Sequence, residues 1–243
     1  MKKLIYLMLV MSLLLACKQP QKDNSNENTA TAHSHENTGT PHSHDKISPE
    51  QIKDTLGRKL ISRTAYAPEY IQLATNAEII PNISDAVKTN GVPTHEGIFS
   101  PLLYAEKMRS FLIELQPGMF LAEHPHPTES LVYTVSGRWV ITSEGKRQVM
   151  EPGSTFYFGD NISTGWEAPF NEKALIYIVK TKMEGEDYEE FTKGVIDMAK
   201  MLEEEKANGT VFYFNGLKAD HPAVVFARKV NPNFNELLKK LKN

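Results

Sequence analysis

The sequence predicts a mainly β protein, a sandwich or small barrel of antiparallel strands with α-helical extensions at both its N- and C-terminal ends. Short apolar runs separated by turn residues follow one another at regular spacing from residue 97 to residue 180. No helix alternates with each strand, which disfavours a doubly wound nucleotide-binding fold. Of the 243 residues 40% are hydrophobic and 23% charged, an ordinary globular composition that suffices to bury a core.

Charge and motifs exclude several classes of protein. The chain has 27 Lys and Arg residues against 30 Asp and Glu residues, for a net charge of −3. Because there is no basic excess, we expect no nucleic-acid partner. The chain contains no Walker loop, no dinucleotide fingerprint and no Gly-x-Ser-x-Gly elbow. Cys17 is the single cysteine, which excludes intrachain disulfides and cysteine-ligated metal clusters.

Residues 1–16 have the pattern of an export signal peptide. Lys2 and Lys3 precede an apolar stretch that runs from Leu4 to Leu15. As a helix this stretch would be roughly 18 Å long, whereas the hydrocarbon core of a bilayer is about 30 Å thick. The stretch is therefore too short for a spanning helix and is typical of a cleaved signal.

The signal ends in Leu-Leu-Ala-Cys, which resembles the lipobox of bacterial lipoproteins. The resemblance implies cleavage before Cys17, whose sulfur then carries a diacylglycerol and whose amine is acylated, for example by palmitate. The protein is thus expected to be attached to a lipid bilayer through Cys17. Lys18 stands where an Asp would favour retention in the inner membrane, so we expect an outer-membrane lipoprotein that faces the periplasm or the surface. An ordinary secretory signal remains the alternative.

Residues 17–47 comprise the lipidated cysteine and a polar tether. From 18 to 46 no apolar side chain is larger than alanine, so this segment is predicted to be disordered. It contains two His-Ser-His repeats, at residues 33–35 and 42–44, which hold four of the eight histidines. Imidazole pairs can collect zinc, copper or nickel, and the alternative is a polar linker that happens to be rich in histidine.

The remaining chain divides into an N-terminal extension, a barrel and a C-terminal extension. Residues 48–96 are predicted to be helical or irregular, with a helix that begins at Ser48-Pro49 and ends near Lys59. Residues 97–180 form the predicted barrel. Its expected strands are Lys107–Leu115, Leu131–Val135, Trp139–Thr142, Thr155–Phe158 and Ala174–Val179.

Residues 181–243 are predicted to form helices and strands. Asp187 is the expected N-cap of an amphipathic helix that Asn208-Gly209 terminates. The runs Val211–Phe214 and Ala223–Val230 are expected to be two further strands, followed by a short helix over Asn233–Leu241. An unpaired strand of this composition would be an exposed edge that seeks a partner, so we expect self-association as a homodimer.

The segment His124-Pro125-His126 carries the clearest chemical signal. On an extended backbone the two imidazoles lie on one face and can reach one metal ion at about 2.0–2.1 Å. Together with Gly118 and Gly137 this segment resembles the first motif of the cupin family. The second cupin motif resembles the stretches Pro152-Gly153-Ser154 and Thr164-Gly165-Trp166. The resemblance spans residues 97–180 and implies a double-stranded β-helix, a jelly-roll barrel with a ligand or metal site inside it.

The resemblance also implies a ligand set. Cupins with a complete metal site use two histidines and a glutamate from the first motif and a histidine from the second. The corresponding positions here hold His124 and His126, then Ser130 with Glu129 one residue earlier, and finally Thr164. The expected metal ligands are therefore His124, His126 and Glu129, with His95 or His221 as further candidates. The expected pocket residues are Ser130, Thr164 and Trp166.

Two classes of function remain open. The first is a metal-dependent oxygenase, isomerase or lyase that acts on a small molecule, with one divalent Fe, Mn, Zn or Ni ion held by His124 and His126. The second is a non-catalytic barrel that binds a small ligand, such as a sugar or an anion, without a metal. The histidine pair favours the first class, and the threonine at position 164 favours the second.

Overall fold

The computed structural model describes residues 70–74 and 77–242. The predicted signal peptide, the lipidated Cys17, the tether and the helix expected from Ser48 lie outside these residues. In the described part the strands are β1 (Ile71–Ala74), β2 (Ala77–Ile79), β3 (Val92–Thr94), β4 (Gly97–Tyr104), β5 (Met108–Leu115), β6 (His124–Pro125), β7 (Ser130–Ser136), β8 (Trp139–Ser143), β9 (Lys146–Met150), β10 (Thr155–Phe158), β11 (Ser163–Glu167) and β12 (Ala174–Thr181). The α-helices are α1 (Ile83–Asn90), α2 (Tyr188–Ala207), α3 (Pro222–Val230) and α4 (Phe234–Lys240).

Two antiparallel sheets pack face to face around one core. One sheet has six strands in the order β10-β7-β12-β5-β4-β3, and the other has four in the order β6-β11-β8-β9. Side chains from both sheets meet in one apolar cluster, with Ile113 and Ile176 on one side and Trp139 and Trp166 on the other. Non-consecutive strands are neighbours in both sheets, as in a jelly roll. The predicted mainly β class is confirmed.

Strand β5 illustrates why these residues form a sheet that is buried on both faces. Phe111, Ile113 and Leu115 alternate along the strand and point into the barrel. Leu112 points to the opposite face, where it packs against Ala86 of helix α1. Because α1 covers the outer face, the inward and outward residues of β5 are both apolar, and the strand reads as a nearly continuous hydrophobic run.

The turn between β7 and β8 depends on a glycine that the sequence marks as the end of the first motif. Gly137 has a φ of +69°, a backbone conformation that residues with a Cβ rarely adopt. A Cβ atom at this position would also lie 2.0 Å from the carbonyl oxygen of Lys173. Only glycine therefore allows the chain to turn back here against the neighbouring loop.

Helix α2 follows the last barrel strand and begins where the sequence predicts. The Asp187 side chain accepts a hydrogen bond from the Glu190 amide at 2.8 Å, which completes a capping box. Phe191 and Val195 are buried against the barrel, and the Phe191 ring lies 6.1 Å from the ring of Phe99 on β4. The helix ends at Ala207, immediately before Asn208. The amphipathic stripe read from the sequence is thus the face that packs on the barrel.

The C-terminal extension departs from the prediction. The run expected as a strand at Ala223–Val230 is helix α3, because Pro222 occupies its first turn and His221 caps it by accepting from the Ala223 amide. That strand prediction was wrong. Val224 packs in a second apolar cluster with Phe234 and Leu237 of α4, whereas Val225 is exposed, so the helical spacing of the buried residues overrides their strand propensity.

The segment Val211–Phe214 is only partly strand-like. Phe120 donates its amide to the Phe212 carbonyl, and a 3₁₀ helix then spans Phe214–Gly216. The free strand edge on which the homodimer was predicted therefore has no basis in the described residues. The final helix is confirmed as α4. In the part of the chain that the structure describes, no helix is long and apolar enough to cross a membrane.

Candidate ligand-binding site

A cavity of about 540 Å³ lies between the barrel interior and helix α2. Its walls are largely aromatic and aliphatic, since the barrel contributes Phe111, Phe158 and Trp166 and the helix contributes Phe191 and Met198. Its volume is in the range of pockets that bind small molecules. The predicted pocket residues Ser130 and Trp166 line it.

Two cationic side chains lie side by side in this cavity. Lys180 on β12 is the direct cross-strand partner of Arg109 on β5, and on its other side it is the partner of Ser130 on β7. All three residues line the cavity. Side chains paired in this way have Cβ atoms about 4.5–5.5 Å apart, and like charges at this distance destabilise a sheet. We refer to Lys180 and Arg109 as the cationic pair.

Lys180 is buried without a carboxylate partner. Its Nζ donates hydrogen bonds to the carbonyl oxygen of Thr128 at 3.0 Å and to Oγ of Ser130 at 3.2 Å. The Nζ atom also lies 5.3 Å from the centre of the Phe158 ring. Among the described residues, no carboxylate oxygen lies within ion-pair distance of it. Burial lowers the pKa of Lys180 to about 8, an effect that the charge of Glu96 opposes and that of Arg109 reinforces.

Arg109 has one ion-pair partner among the described residues, Glu186. It forms a buried ion pair with Glu186, and its guanidinium carbon lies 4.7 Å from the centre of the Phe191 ring. Its Nε has no hydrogen-bond partner in the described part of the chain, and the same holds for Nε1 of Trp166. Burial lowers the pKa of Arg109 to about 10. Both side chains line the cavity, although these two nitrogen atoms are themselves buried.

His124 and His126 both line the cavity, with their ring centres 4.5 Å apart. The His124 Nδ1 lies 3.1 Å from the carbonyl oxygen of Ala122. Because a carbonyl oxygen can only accept, Nδ1 is the donor in this contact, and Nε2 is the other ring nitrogen. The nearest carboxylate oxygen, on Glu96, is 4.0 Å from this Nε2. The sequence analysis did not single out Glu96.

His126 is engaged by the residue that replaces the histidine of the second motif. Its Nε2 lies 2.8 Å from Oγ1 of Thr164, which is fully buried on β11. Burial, reinforced by the charges of His124 and Lys180, lowers the pKa of His126 to about 3. The imidazole is therefore neutral at physiological pH, and its Nε2 is occupied within the protein.

The other predicted metal ligands lie away from this pair or make other contacts. Glu129 is exposed, accepts from the hydroxyl groups of Tyr157 and Thr181, and is not among the residues that line the cavity. His221 caps helix α3. His95 lines the cavity, but its ring centre is 6.4 Å from that of His124.

The described residues contain no group of three or more His, Cys, Asp or Glu side chains placed to hold a metal ion. A catalytic metal site normally has three protein ligands. With one imidazole nitrogen occupied by a hydroxyl group and the nearest carboxylate 4.0 Å from the other ring, the side chains as placed do not fit the metal site that the cupin resemblance implies.

Comparison with known proteins identifies the barrel. Residues 111–180 match the family model Cupin_2, described as the cupin domain. The barrel is similar to cupin domains. The predicted fold class, a cupin double-stranded β-helix with helical extensions, is confirmed. No curated protein matches the chain.

Several solved structures are similar to this cupin barrel at low sequence identity. A cupin 2 conserved barrel domain protein from Salinispora arenicola is 17% identical, with 52% of this chain and 98% of that chain covered and a TM-score of 0.39. A conserved protein with a double-stranded β-helix domain from Klebsiella pneumoniae is 19% identical, with 44% and 92% covered and a TM-score of 0.38. KdgF from Halomonas sp. is 16% identical, with 36% and 81% covered and a TM-score of 0.33.

The sequence analysis missed the cationic pair, although a signal for it was present. In the predicted strand Lys107–Leu115 the apolar residues Phe111, Ile113 and Leu115 alternate, and Arg109 lies two residues before Phe111 in the same phase. Lys180 likewise continues the phase of Ile176 and Ile178. Extending the alternation by one step would have placed both cations inside the barrel.

Proposed function

We propose that this protein is a lipid-anchored, extracytoplasmic binding protein whose cupin barrel takes a small organic anion without a metal ion. The observation that carries the proposal is the buried Lys180, which lies opposite Arg109 and has no carboxylate partner among the described residues. The anchor would be Cys17 and the destination the outer membrane, as the lipobox resemblance implies.

Burial of the cationic pair lowers the stability of the folded protein, which suggests that the pair serves a function. A buried, unpaired ammonium group is destabilising by several kcal/mol unless an anion or hydrogen bonds compensate it. Lys180 has two neutral hydrogen-bond acceptors, and the nearby guanidinium adds a second positive charge. Arg109 already has Glu186 as its ion-pair partner, so a bound carboxylate would chiefly compensate the charge of Lys180.

The walls of the cavity indicate what the anion is attached to. Most of the lining around the cationic pair is aromatic or aliphatic, including Phe111, Phe158 and Phe191. Burial of such surface contributes about 25 cal/mol per Å² of apolar area removed from water. The ligand that suits both features is a compact molecule with an apolar or aromatic body and one acidic group.

The experiment compares an acid with its uncharged analogue. Binding of 3-phenylpropanoate and 3-phenylpropanol to the full-length protein in detergent is measured by calorimetry. Because charge-assisted hydrogen bonds contribute about 1.5–3 kcal/mol, we expect the acid to bind roughly tenfold more tightly or better. Lys180→Met should abolish this preference, whereas Lys173→Met, which removes an exposed lysine at the start of the same strand, should retain it. Equal affinities for the acid and the alcohol, or binding of neither, would refute the proposal.

The metal-dependent alternative, an oxygenase, isomerase or lyase, has one observation in its favour. His124 and His126 lie next to each other in the cavity, and Glu96 is the nearest carboxylate. Elemental analysis would use the full chain with the four tether histidines replaced by Gln, since imidazole pairs can bind these metals. We expect no stoichiometric Fe, Mn, Zn or Ni. One equivalent of metal that disappears in His124→Ala would instead support the enzyme.

A further inference from the structure

We propose that the Lys180 amine forms an imine with the carbonyl carbon of a 2-oxo acid whose carboxylate is held by Arg109. This inference rests on the proposed function, because it names the class of anion that the cavity takes. It adds a covalent step that simple anion binding does not require.

The first argument is the geometry at Nζ. A neutral amine nitrogen has four tetrahedral positions, of which one is the bond to Cε. Two more are the hydrogens that Lys180 donates to the Thr128 carbonyl and to the Ser130 hydroxyl. The fourth position is then the lone pair. Since Lys180 lines the cavity, an electrophile bound there can approach the nitrogen without breaking either hydrogen bond.

The second argument is the spacing of the cationic pair. In a 2-oxo acid the carboxylate carbon is bonded directly to the carbonyl carbon. A molecule of this class therefore presents an anion and an electrophile to two adjacent side chains at once. Arg109 and Lys180 are direct cross-strand partners. The Arg109 guanidinium lines the same cavity and can hold the carboxylate, and a guanidinium cannot itself act as the nucleophile.

The third argument is that a reactive amine is available. Burial beside Arg109 lowers the pKa of Lys180 to about 8, so about a tenth of the side chain is unprotonated near pH 7. An exposed lysine has a far smaller neutral fraction at this pH. Desolvated lysines next to another cation are the ones that serve as Schiff-base nucleophiles in proteins.

The step balances without an oxidant or a reductant. The nitrogen lone pair forms a bond to the carbonyl carbon, and the carbonyl oxygen takes up the proton that the nitrogen loses. The resulting hydroxyl group then leaves as water after it takes up a proton from solvent, while the nitrogen electrons form the C=N bond. The ammonium form of Lys180 and the oxo acid thus give one protonated imine and one water.

The experiment traps the imine chemically. The full-length protein in detergent is incubated with phenylpyruvate and sodium cyanoborohydride, and the modified peptide is identified by mass spectrometry. We expect one adduct per chain, on Lys180. The variants Lys180→Arg and Lys180→Met should lose it, and Lys173→Arg and Lys182→Arg should keep it. Circular dichroism checks that each variant is folded. The site of the adduct is also mapped on the natural sequence, so the test does not depend on any variant.

Phenyllactate, which has a hydroxyl group in place of the carbonyl oxygen, separates this inference from the proposed function. We expect it to bind, to form no adduct and to protect Lys180 from phenylpyruvate. If phenyllactate binds but phenylpyruvate gives no adduct on Lys180, or modifies Lys173 equally fast, the imine is refuted and anion binding stands. If neither compound binds, both proposals fail.

Discussion

Thr164 changes what the neighbouring histidine can do. Its hydroxyl group lies 2.8 Å from Nε2 of His126. Because His126 is buried in the barrel, its imidazole stays neutral at pH values well below its usual pKa. A nitrogen held in this way positions the ring in the cavity wall and is not free to bind a metal ion. His126 therefore acts here as a neutral, polar part of the cavity wall.

The neutral state of His126 predicts acid sensitivity. Its pKa is about 3 in the folded protein and about 6.5 when unfolded. The unfolded state thus binds more protons between these values, and stability falls as pH decreases below 6.5. Allowing for partial exposure, we expect a loss of about 1 kcal/mol between pH 6.5 and pH 5 from this residue. Urea unfolding of the protein and of His126→Gln at both pH values measures it, and an equal loss in both proteins would contradict the prediction.

The buried Lys180 predicts that stability also changes at alkaline pH, where this lysine loses its charge. Its pKa is lowered to about 8 in the folded protein, so the charged form destabilises the fold below that pH. Between pH 8 and about 10.5 the unfolded state binds more protons, and stability rises with pH. We expect Lys180→Met to be more stable than the natural protein at pH 7 by roughly 2 kcal/mol and to lose this advantage by about pH 10.5.

Urea unfolding of both proteins at pH 7, 9 and 10.5 tests this, since other titrating groups cancel in the difference. The control is Lys173→Met, because the Lys173 ammonium is exposed and paired with Glu114. Its difference from the natural protein should not vary in this way. If the difference in stability between Lys180→Met and the natural protein does not change with pH, burial does not lower the pKa of Lys180.

At the scale of elements, helix α2 is the wall that distinguishes this cavity from the interior of a bare barrel. Gly194 lies in the middle of the helix at the edge of the cavity, and a Cβ atom there would have no neighbour within 4 Å. Glycine in a helix interior is destabilising by about 0.5–1 kcal/mol relative to alanine. Glycine at this position therefore leaves open space at the edge of the cavity and makes the helix less stable than alanine would.

Replacement of this glycine gives a prediction with a matched control. We expect Gly194→Ala to raise the free energy of unfolding by about 0.5–1 kcal/mol. Gly185 has the same open surroundings but a φ of +77°, so Gly185→Ala should lower it by about 1 kcal/mol. Thermal unfolding measures both changes. A decrease for Gly194→Ala would mean that the helix is not regular at this point.

The elements also show where sequence reasoning succeeds. Strands β5 and β12 and helix α2 follow directly from apolar alternation, helical spacing and the Asp187 cap, because each has one clear partner surface. Helix α3 was misread because Val224, Val225 and Phe226 favour a strand locally, whereas Pro222, the His221 cap and packing against α4 favour a helix.

Part of the candidate site could also be predicted from the sequence. His124 and His126 were found from their spacing, and Ser130 and Trp166 from the resemblance, whereas the predicted pocket residue Thr164 contacts His126 but is not among the residues that line the cavity. Lys180 and Arg109 come from strands that are distant in sequence, and the register that joins them is not a local property. The position of Glu96 depends in addition on the path of a turn between β3 and β4, which no residue pattern in the sequence specifies.

At the scale of the whole molecule, the lipobox resemblance predicts where the protein is found. Cys17 lies outside the described residues, and its acylation remains a prediction. We expect incorporation of a labelled fatty acid, and release of the protein from the membrane fraction in Cys17→Ser. Lys18→Asp should move the protein to the inner membrane without affecting acylation. A Cys17→Ser protein that stays in the membrane fraction would contradict the lipid anchor.

The chain has two tryptophans, and they stand in different surroundings. The indole nitrogen of Trp139 donates to the Thr134 hydroxyl in the closed core, whereas that of Trp166 has no hydrogen-bond partner among the described residues and its ring lines the cavity. Nuclear magnetic resonance should therefore show two indole signals, of which one shifts when the cavity is filled and the other serves as an internal reference. The protein thus contains a built-in spectroscopic reporter, which allows unlabelled compound libraries to be screened before any natural ligand is known.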